Sequence, residues 1–125
     1  MIEGVVTAGY EAVITLPLQD PAGRTREVEA VVDTGFNGYL TLPPVLVADL
    51  GLPVVGDGEA VLADGSEAAF DVYGVTVVWD GEPRYVETGA VGVDPLVGMS
   101  LLDSYSLYVE VADGGRVVIE PARSP

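Results

Sequence analysis

The feature that most constrains the fold is the recurrence of short, valine-rich apolar runs separated by turn-forming residues. The runs follow one another at intervals of about 8–14 residues, a rhythm typical of an all-β barrel or sandwich rather than of alternating strands and helices. Valine is the commonest hydrophobic residue, and β-branched side chains fit the half-buried surface of a sheet. The pairs Asp64-Gly65 and Asp80-Gly81 favour tight hairpins.

The runs predict strands over residues 10–18, 25–32, 39–42, 54–63, 67–79, 84–91, 106–111 and 116–120. A helix is predicted over residues 44–50, because proline stands in its first turn and Gly51 follows its last. A second short helix is predicted over residues 99–105. We expect one all-β domain over residues 1–125 with one or two short helices, in which residues 1–6 and 121–125 are frayed.

The chain contains no cysteine and no histidine. This excludes a disulfide scaffold, a thiol nucleophile, a Ser-His-Asp triad and metal sites built on cysteine or histidine. Any chemistry must therefore be done by carboxylates, hydroxyls and backbone groups. Four acidic residues bracket one hairpin: Asp57, Glu59, Asp64 and Glu67. Their spacing matches no EF-hand loop, so we interpret them as a solvated hairpin face rather than a calcium site.

The chain is strongly acidic, with 20 acidic and 5 basic residues and a formal net charge of −15. This charge argues against binding to nucleic acid, whose phosphates need Lys or Arg partners, and against an anionic membrane surface. The apolar runs are far shorter than the roughly 20 residues needed to span a bilayer. No secretory leader is recognisable, so the sequence predicts a cytoplasmic protein.

One local feature carries possible chemistry, the segment Val31-Val32-Asp33-Thr34-Gly35. An apolar strand runs directly into Asp-Thr-Gly, and a second apolar strand follows. A carboxylate at the end of a buried strand is costly unless it is hydrogen-bonded or solvated. Glycine at the third position permits a close approach of other backbone. As a bare tripeptide, Asp-Thr-Gly is typical of an ordinary turn, so the interpretation depends on the rest of the chain.

The remaining motifs make the chain resemble the retropepsin-like aspartic proteases. Val31-Val32-Asp33-Thr34-Gly35 matches the first element of that family, and Leu96-Val97-Gly98 before a short helix matches the second. A hairpin tipped by Ala63-Asp64-Gly65-Ser66 stands between them, where the family has its flap. The likeness covers residues 10–120 in the right order. Phe36-Asn37-Gly38 is similar to the version in non-viral prokaryotic members.

The resemblance implies a single-lobed acid protease barrel that acts as an aspartic endopeptidase on peptides or proteins, with no cofactor and no metal. Because one chain holds one Asp-Thr-Gly, it implies a homodimer in which each copy supplies Asp33 and a water is activated between the two carboxylates. Thr34 would hydrogen-bond across the twofold axis, and Gly35 would leave room for substrate. Leu96-Val97-Gly98 would pack beneath this loop, and residues 116–120 could supply an interface strand. The residues implied to contact substrate are Phe36, Asn37, Gly38, Ala63, Asp64, Gly65 and Ser66.

Two alternatives use the same residues differently. In the first, the chain has this fold but is catalytically silent and serves as a binding or assembly domain. The charge of −15 on each copy favours that alternative, since it opposes association unless the interface is apolar or salt screens it. In the second, the domain is purely structural and Asp33 is a turn residue, so that Asp33→Asn would change neither activity nor ligand binding.

Overall fold

The computed structural model describes residues 1–123, and within them the chain forms ten strands and two short helices. The helices are α1 (Pro44–Leu50) and α2 (Met99–Leu102). The strands are β1 (Ile2–Val6), β2 (Ala12–Gln19), β3 (Thr25–Val32), β4 (Leu40–Leu42), β5 (Val54–Val61), β6 (Glu67–Trp79), β7 (Glu82–Ala90), β8 (Leu96–Val97), β9 (Tyr105–Val109) and β10 (Arg116–Pro121).

All ten strands belong to one sheet, in the order β5-β6-β7-β4-β8-β3-β2-β1-β10-β9. The end of β2 also pairs with β6, at Leu18↔Val77 and Gln19↔Thr76, so the sheet folds back on itself. Within residues 1–123, β5 and β9 each have one neighbour and end the sheet as edge strands. The mostly β prediction is therefore confirmed, but the sheet keeps two free edges and is not a closed barrel.

The core lies between the folded layers of this sheet. Strand β2 shows why the sequence folds this way, because Ile14, Leu16 and Leu18 alternate with more exposed residues and are buried. Trp79 is buried at the end of β6 and packs edge-to-face against Tyr105, with ring centroids 5.7 Å apart. Trp79 is thus a core residue.

Helix α1 closes one side of the core and has the bounds that the sequence predicts. It begins at Pro44, where proline costs no helical hydrogen bond. It ends at Gly51, whose φ of 63° is left-handed and whose N–H donates to the Ala48 carbonyl. Within residues 1–123, no helix is long and apolar enough to cross a membrane.

Three predictions for the ends of the chain need correction. Residues 1–6 are not frayed, because β1 pairs with both β10 and β2. Residues 116–120 lie in β10, whose two edges are occupied by β1 and β9, so this strand cannot pair with a second chain. At the other predicted frayed end, Pro121 belongs to β10, whereas residues 124–125 lie outside the described residues.

The second helix is shorter than the predicted range of 99–105. It ends at Leu102, because Tyr105 already begins β9.

Candidate active site

The position of Asp33 is fixed by strand β8, which lies between β3 and β4. β8 runs parallel to β3, with Val32 opposite Val97, and antiparallel to β4, with Leu40 opposite Val97. The Asp33 N–H then donates to the Val97 carbonyl at 2.9 Å, which extends the β3–β8 ladder by one bond. Val97 and Leu40 are buried, so Asp33 stands at the point where β3 gives way to a loop beside two strands that belong to the core.

The Asp33 carboxylate is half-buried and uncompensated by positive charge. Its Oδ1 accepts the Gly35 N–H at 2.9 Å, and its backbone carbonyl accepts the Phe36 N–H at 3.2 Å. None of the salt bridges within residues 1–123 involves Asp33. A Cβ on Gly35 would lie 3.3 Å from Asp33 Oδ1, so glycine keeps this turn close to the carboxylate. The side chain is therefore oriented by one neutral donor, the Gly35 N–H.

The loop after Asp33 is packed by an aromatic ring resting on two glycines. A Cβ on Gly38 would lie 2.6 Å from Phe36 Cζ, and one on Gly98 would lie 2.6 Å from Phe36 Cδ2. The Gly98 Cβ would also lie 2.1 Å from the Gly38 carbonyl oxygen. Because these contacts are shorter than any real Cβ contact, both positions require glycine while the Phe36 ring stays where it is.

The first turn of α2 forms hydrogen bonds to the same loop. The Met99 N–H donates to the Phe36 carbonyl at 2.8 Å, and the Ser100 N–H donates to the Gly38 carbonyl at 3.1 Å. The Ser100 hydroxyl donates to the Asn37 carbonyl at 2.5 Å. These bonds use backbone N–H groups that a helix start leaves without partners, so α2 and the loop satisfy one another. The segment containing Leu96-Val97-Gly98 therefore supports the Asp33 loop, as the resemblance implies.

A cleft of about 600 Å³ opens beside this loop, beneath the β5–β6 hairpin. Its size lies within the range of small-molecule and peptide-side-chain sites. Phe36 and Leu40 line it on the loop side, Ala60 and Phe70 line it on the hairpin side, and Tyr73 lies at the hairpin base. The lining is mainly apolar, so the cleft can receive an apolar side chain.

Within residues 1–123, the hairpin above the cleft, residues 54–71, pairs with the rest of the sheet only at its base. From Val72 onward β6 pairs with β7, but before Val72 it pairs with β5 alone. The tip is a tight turn in which Asp64 Oδ1 accepts the Ser66 N–H at 2.9 Å and the Ser66 hydroxyl at 2.6 Å. These bonds, the hydroxyl bond foremost, hold the pKa of Asp64 below its ordinary value. Since an isolated two-stranded hairpin is marginally stable, this element can move relative to the rest of the sheet.

A second cavity, of about 400 Å³, lies on the other side of the Asp33 loop. Asp33 and Thr34 form part of its wall, together with Tyr10, Val109 and Val111. Tyr10 adopts a left-handed φ of 61° in the β1–β2 turn, and its side chain is 71% exposed. A bulky residue is rarely held in that conformation, which marks this turn as an unusual feature next to the carboxylate.

The structure brings only some of the predicted site residues together. Asp33, Thr34 and Gly35 are adjacent in one loop, and Phe36 lies in the cleft. Asn37 lines a separate groove of about 260 Å³ with Ser100, and Gly38 lies beneath the Phe36 ring. The four tip residues are exposed and line neither the cleft nor the cavity beside Asp33: Ala63, Asp64, Gly65 and Ser66. One chain therefore does not gather the whole predicted set around one space.

Sequence reasoning missed most of the cleft. The cleft is lined by Leu40, Ala60, Phe70, Tyr73 and Val91. Their common signal, apolar positions on neighbouring strands, cannot be distinguished from core without the pairing register. Thr41 lines the same cleft, and its Oγ1 is buried without a hydrogen-bond partner among the described residues. Within residues 1–123 no group of three or more acidic side chains is arranged to hold a metal ion.

Comparison with known proteins supports the fold. No family model and no curated protein sequence matches the chain. The structure is similar to the crystal structure of a retropepsin-like aspartic protease from Rickettsia conorii, with a TM-score of 0.61 and 16% sequence identity. The likeness covers 97% of this chain and 90% of that one. Together with the placement of β3, β8 and β4 around the Asp33 loop, it shows that this single small domain has the retropepsin-like fold.

Proposed function

We propose that the chain is an aspartic endopeptidase whose catalytic carboxylates are Asp33 of one copy and Asp33 of a second copy. The observation that carries the proposal is the Asp33 carboxylate itself. It is held at the end of β3 by a bond to buried Val97, is only half-buried, pairs with no cation among residues 1–123 and lies beside a loop that borders an apolar cleft. The non-viral prokaryotic type of the family and the peptide substrate belong to the same proposal.

The chemistry follows from placing two such carboxylates together. Two acids about 3 Å apart in a partly desolvated site cannot both ionise easily, so they hold one proton between them. The ionised carboxylate removes a proton from a bound water, and the resulting hydroxide attacks the peptide carbonyl carbon. The protonated carboxylate donates its proton to the carbonyl oxygen as the tetrahedral intermediate forms. As that intermediate collapses, the C–N bond breaks and the amine leaves with a proton from the first carboxyl. The second carboxylate takes a proton back from one hydroxyl of the intermediate, which leaves the carboxylic acid product and restores the starting pair.

Two observations support a pair of copies rather than one chain. The sequence has a single Asp-Thr-Gly, and Asp33 and Thr34 form part of an open cavity wall on which no second Asp-Thr-Gly loop stands among residues 1–123. Glu11 is the other carboxylate on that wall, and it is exposed in the β1–β2 turn. Glu11→Gln is therefore the matched control that separates a pair within one chain from a pair across two.

The test is cleavage of a mixed peptide library between about pH 3.5 and 7, the acidic to neutral range in which general acid–base catalysis by carboxyl groups is expected. Wild type, Asp33→Asn and Glu11→Gln are compared, with and without a pepstatin-like inhibitor. We expect wild type and Glu11→Gln to cleave and Asp33→Asn to be inactive, although the Asn side chain can still accept the Gly35 N–H and keep the loop folded. Cleavage that survives Asp33→Asn would refute the assignment.

A catalytically silent binding or assembly domain is the second candidate, and the net charge favours it. Each copy carries −15, and repulsion between copies opposes association at low ionic strength. The two candidates separate by sedimentation at several salt concentrations. The protease requires a dimer under the conditions of cleavage, whereas the silent domain remains monomeric and leaves every peptide intact.

A further inference from the structure

Strand β3 has an open edge along most of its length. Strand β2 pairs with residues 25–31 on one side, whereas β8 pairs on the other side only with Val31 and Val32. The last bond on that second side joins the Val31 N–H to the Pro95 carbonyl at 2.9 Å. Within residues 1–123, no strand therefore lies beside residues 25–30 on the side away from β2.

The bond from Val31 also shows which backbone groups of this edge are unused. Backbone groups alternate between the two sides of a strand, so Glu27 and Glu29 direct theirs the same way as Val31, away from β2. The β2 residue opposite Glu27 is Pro17, which has no N–H, and this fits a pair that exchanges no hydrogen bond. Among residues 1–123, no turn, loop or side-chain hydrogen bond uses the backbone of Glu27 or Glu29. Their N–H and C=O groups can therefore bond to an added strand.

The open edge forms one wall of a groove of about 410 Å³, and α1 forms the other. This β3–α1 groove is lined by residues 26–29, Pro43, Val45, Leu46, Asp49 and Pro95. Val28 and Leu46 both pack against the core, so they give the groove an apolar floor. Val45 is 73% exposed on the α1 side. The groove therefore offers apolar contacts beside the unused backbone groups.

The charges of the groove restrict what can enter it. Three carboxylates line it, those of Glu27, Glu29 and Asp49, against the one guanidinium of Arg26. Successive side chains of a strand point to opposite faces, so Val28 lies on the core face of β3 and the two glutamates lie on the outer face. A strand added beside β3 would follow the same alternation. Its side chains should be apolar next to Val28 and basic next to the glutamates.

We propose that the β3–α1 groove binds an extended segment of another protein in which basic and apolar residues alternate, and that this segment pairs with residues 25–30 as an added strand. Backbone bonds to Glu27 and Glu29 supply affinity, and the alternating side chains supply specificity. A second copy of this chain is disfavoured as the occupant, because each copy carries a net charge of −15 and the glutamates of the edge repel it. The groove shares no lining residue with the cleft beside the Asp33 loop, and the inference does not depend on the proposed function.

Fluorescence anisotropy of labelled peptides tests the alternation. The probe is Lys-Val-Lys-Val-Lys-Val, and its control, Lys-Lys-Lys-Val-Val-Val, has the same composition and charge without the alternation. A chain with a net charge of −15 would attract both peptides equally if only overall charge mattered. We expect the alternating peptide to bind about tenfold more tightly or better. Equal affinities would overturn the inference.

N-methylation of the probe tests the backbone pairing. One version carries N-methyl groups on every lysine and the other on every valine, so each version loses the N–H groups of one side of the strand. An added strand bonds to β3 through one side, so we expect one version to bind about tenfold more weakly or worse and the other to bind like the parent. Loss of the methylated lysines' version indicates an antiparallel pair, and loss of the methylated valines' version indicates a parallel one. Equal effects of the two versions would overturn the inference.

Matched charge variants of the protein test the location. Glu27→Gln combined with Glu29→Gln removes two charges from the open edge, and Glu82→Gln combined with Glu87→Gln removes two from exposed positions of β7 outside the groove. We expect the first pair of substitutions to weaken binding of the alternating peptide about threefold or more, and the second to change it by less than about twofold. Equal weakening by both would show a response to net charge alone and overturn the inference.

A pepstatin-like inhibitor distinguishes the groove from the proposed active site. We expect an excess of inhibitor to leave the alternating peptide bound, because the groove and the Asp33 cleft have separate linings. Displacement of the peptide would place it in the cleft and overturn the inference. A protein that binds the alternating peptide in the groove but cleaves nothing would refute the protease proposal and leave this inference standing. A protein that cleaves through Asp33 but does not prefer the alternating peptide would do the reverse.

Discussion

Replacing Gly98 with alanine tests whether the Asp33 loop depends on the contact between Phe36 and α2. The added Cβ would lie 2.1 Å from the Gly38 carbonyl oxygen, 2.6 Å from Phe36 Cδ2 and 2.9 Å from the Phe36 carbonyl oxygen. Two of these atoms belong to the backbone, which cannot rotate away as a side chain can. The loop must therefore move away from α2.

These contacts determine how far the substitution lowers the free energy of unfolding. Overpacking of this kind costs about 1–3 kcal/mol. Moving the loop also weakens the bonds from the Met99 and Ser100 N–H groups to the Phe36 and Gly38 carbonyls, at about 0.5–1.5 kcal/mol each. The free energy of unfolding should thus fall by about 2–6 kcal/mol, a large part of the 5–15 kcal/mol typical of a domain.

Urea unfolding followed by tryptophan fluorescence measures this loss, because Trp79 is buried in the core. With a slope of about 2 kcal/mol per molar urea, the midpoint should fall by about 1–3 M. Gly56→Ala is the matched control, since no atom lies within 4 Å of a Cβ there and its midpoint should barely change. If Gly98→Ala were as stable as Gly56→Ala, the reasoning about the loop would be wrong.

Three further predictions concern other parts of the site. Thr41→Val should leave the melting temperature unchanged or raise it, because Thr41 Oγ1 is buried without a partner among residues 1–123 and an unpaired buried hydroxyl costs about 1–3 kcal/mol. A clearly lower melting temperature would show that the hydroxyl forms a hydrogen bond. The pKa of Asp64 is lowered from 3.8, so its stabilisation of the hairpin tip is present above that value and is lost as pH falls through the lowered pKa. The protection factor of the Ser66 amide, which corrects for the intrinsic exchange rate at each pH, should therefore fall in strong acid, and an unchanged protection factor would contradict this. Raising the ionic strength should strengthen self-association in sedimentation experiments, because salt screens the repulsion between copies that each carry a net charge of −15. Weaker association at high salt would mean that ion pairs dominate the interface.

Elements with strong local signals were predictable from the sequence. β3, β6 and α1 have the predicted bounds, because each has a continuous apolar pattern between clear turn or capping residues. β1 was missed because Ile2–Val6 is stabilised by β10, a strand more than a hundred residues away, and not by its own short pattern. β8 is two residues long and exists only through its pairing with β3 and β4.

In the candidate site too, local features were predictable and features that depend on strand pairing were not. The Asp33 turn and its support from Gly98 could be anticipated because both are short motifs with local chemistry. The position of the Phe36 ring on Gly38 and Gly98 could not, because it depends on which strands lie next to one another. The free β9 edge was likewise hidden, since only the pairing order shows that β10 is interior and β9 is not.

The central claim is that one active site is made from two copies of Asp33, and subunit mixing tests it most directly. Wild-type protein is held at a fixed concentration while folded Asp33→Asn chain is added in increasing excess, and peptide cleavage is followed after exchange. We expect cleavage to fall steadily toward zero, because each wild-type chain becomes paired with a chain that lacks the carboxylate. Cleavage that stays proportional to wild-type chain, however much Asp33→Asn is added, would show that a single chain holds the whole site and would contradict the account.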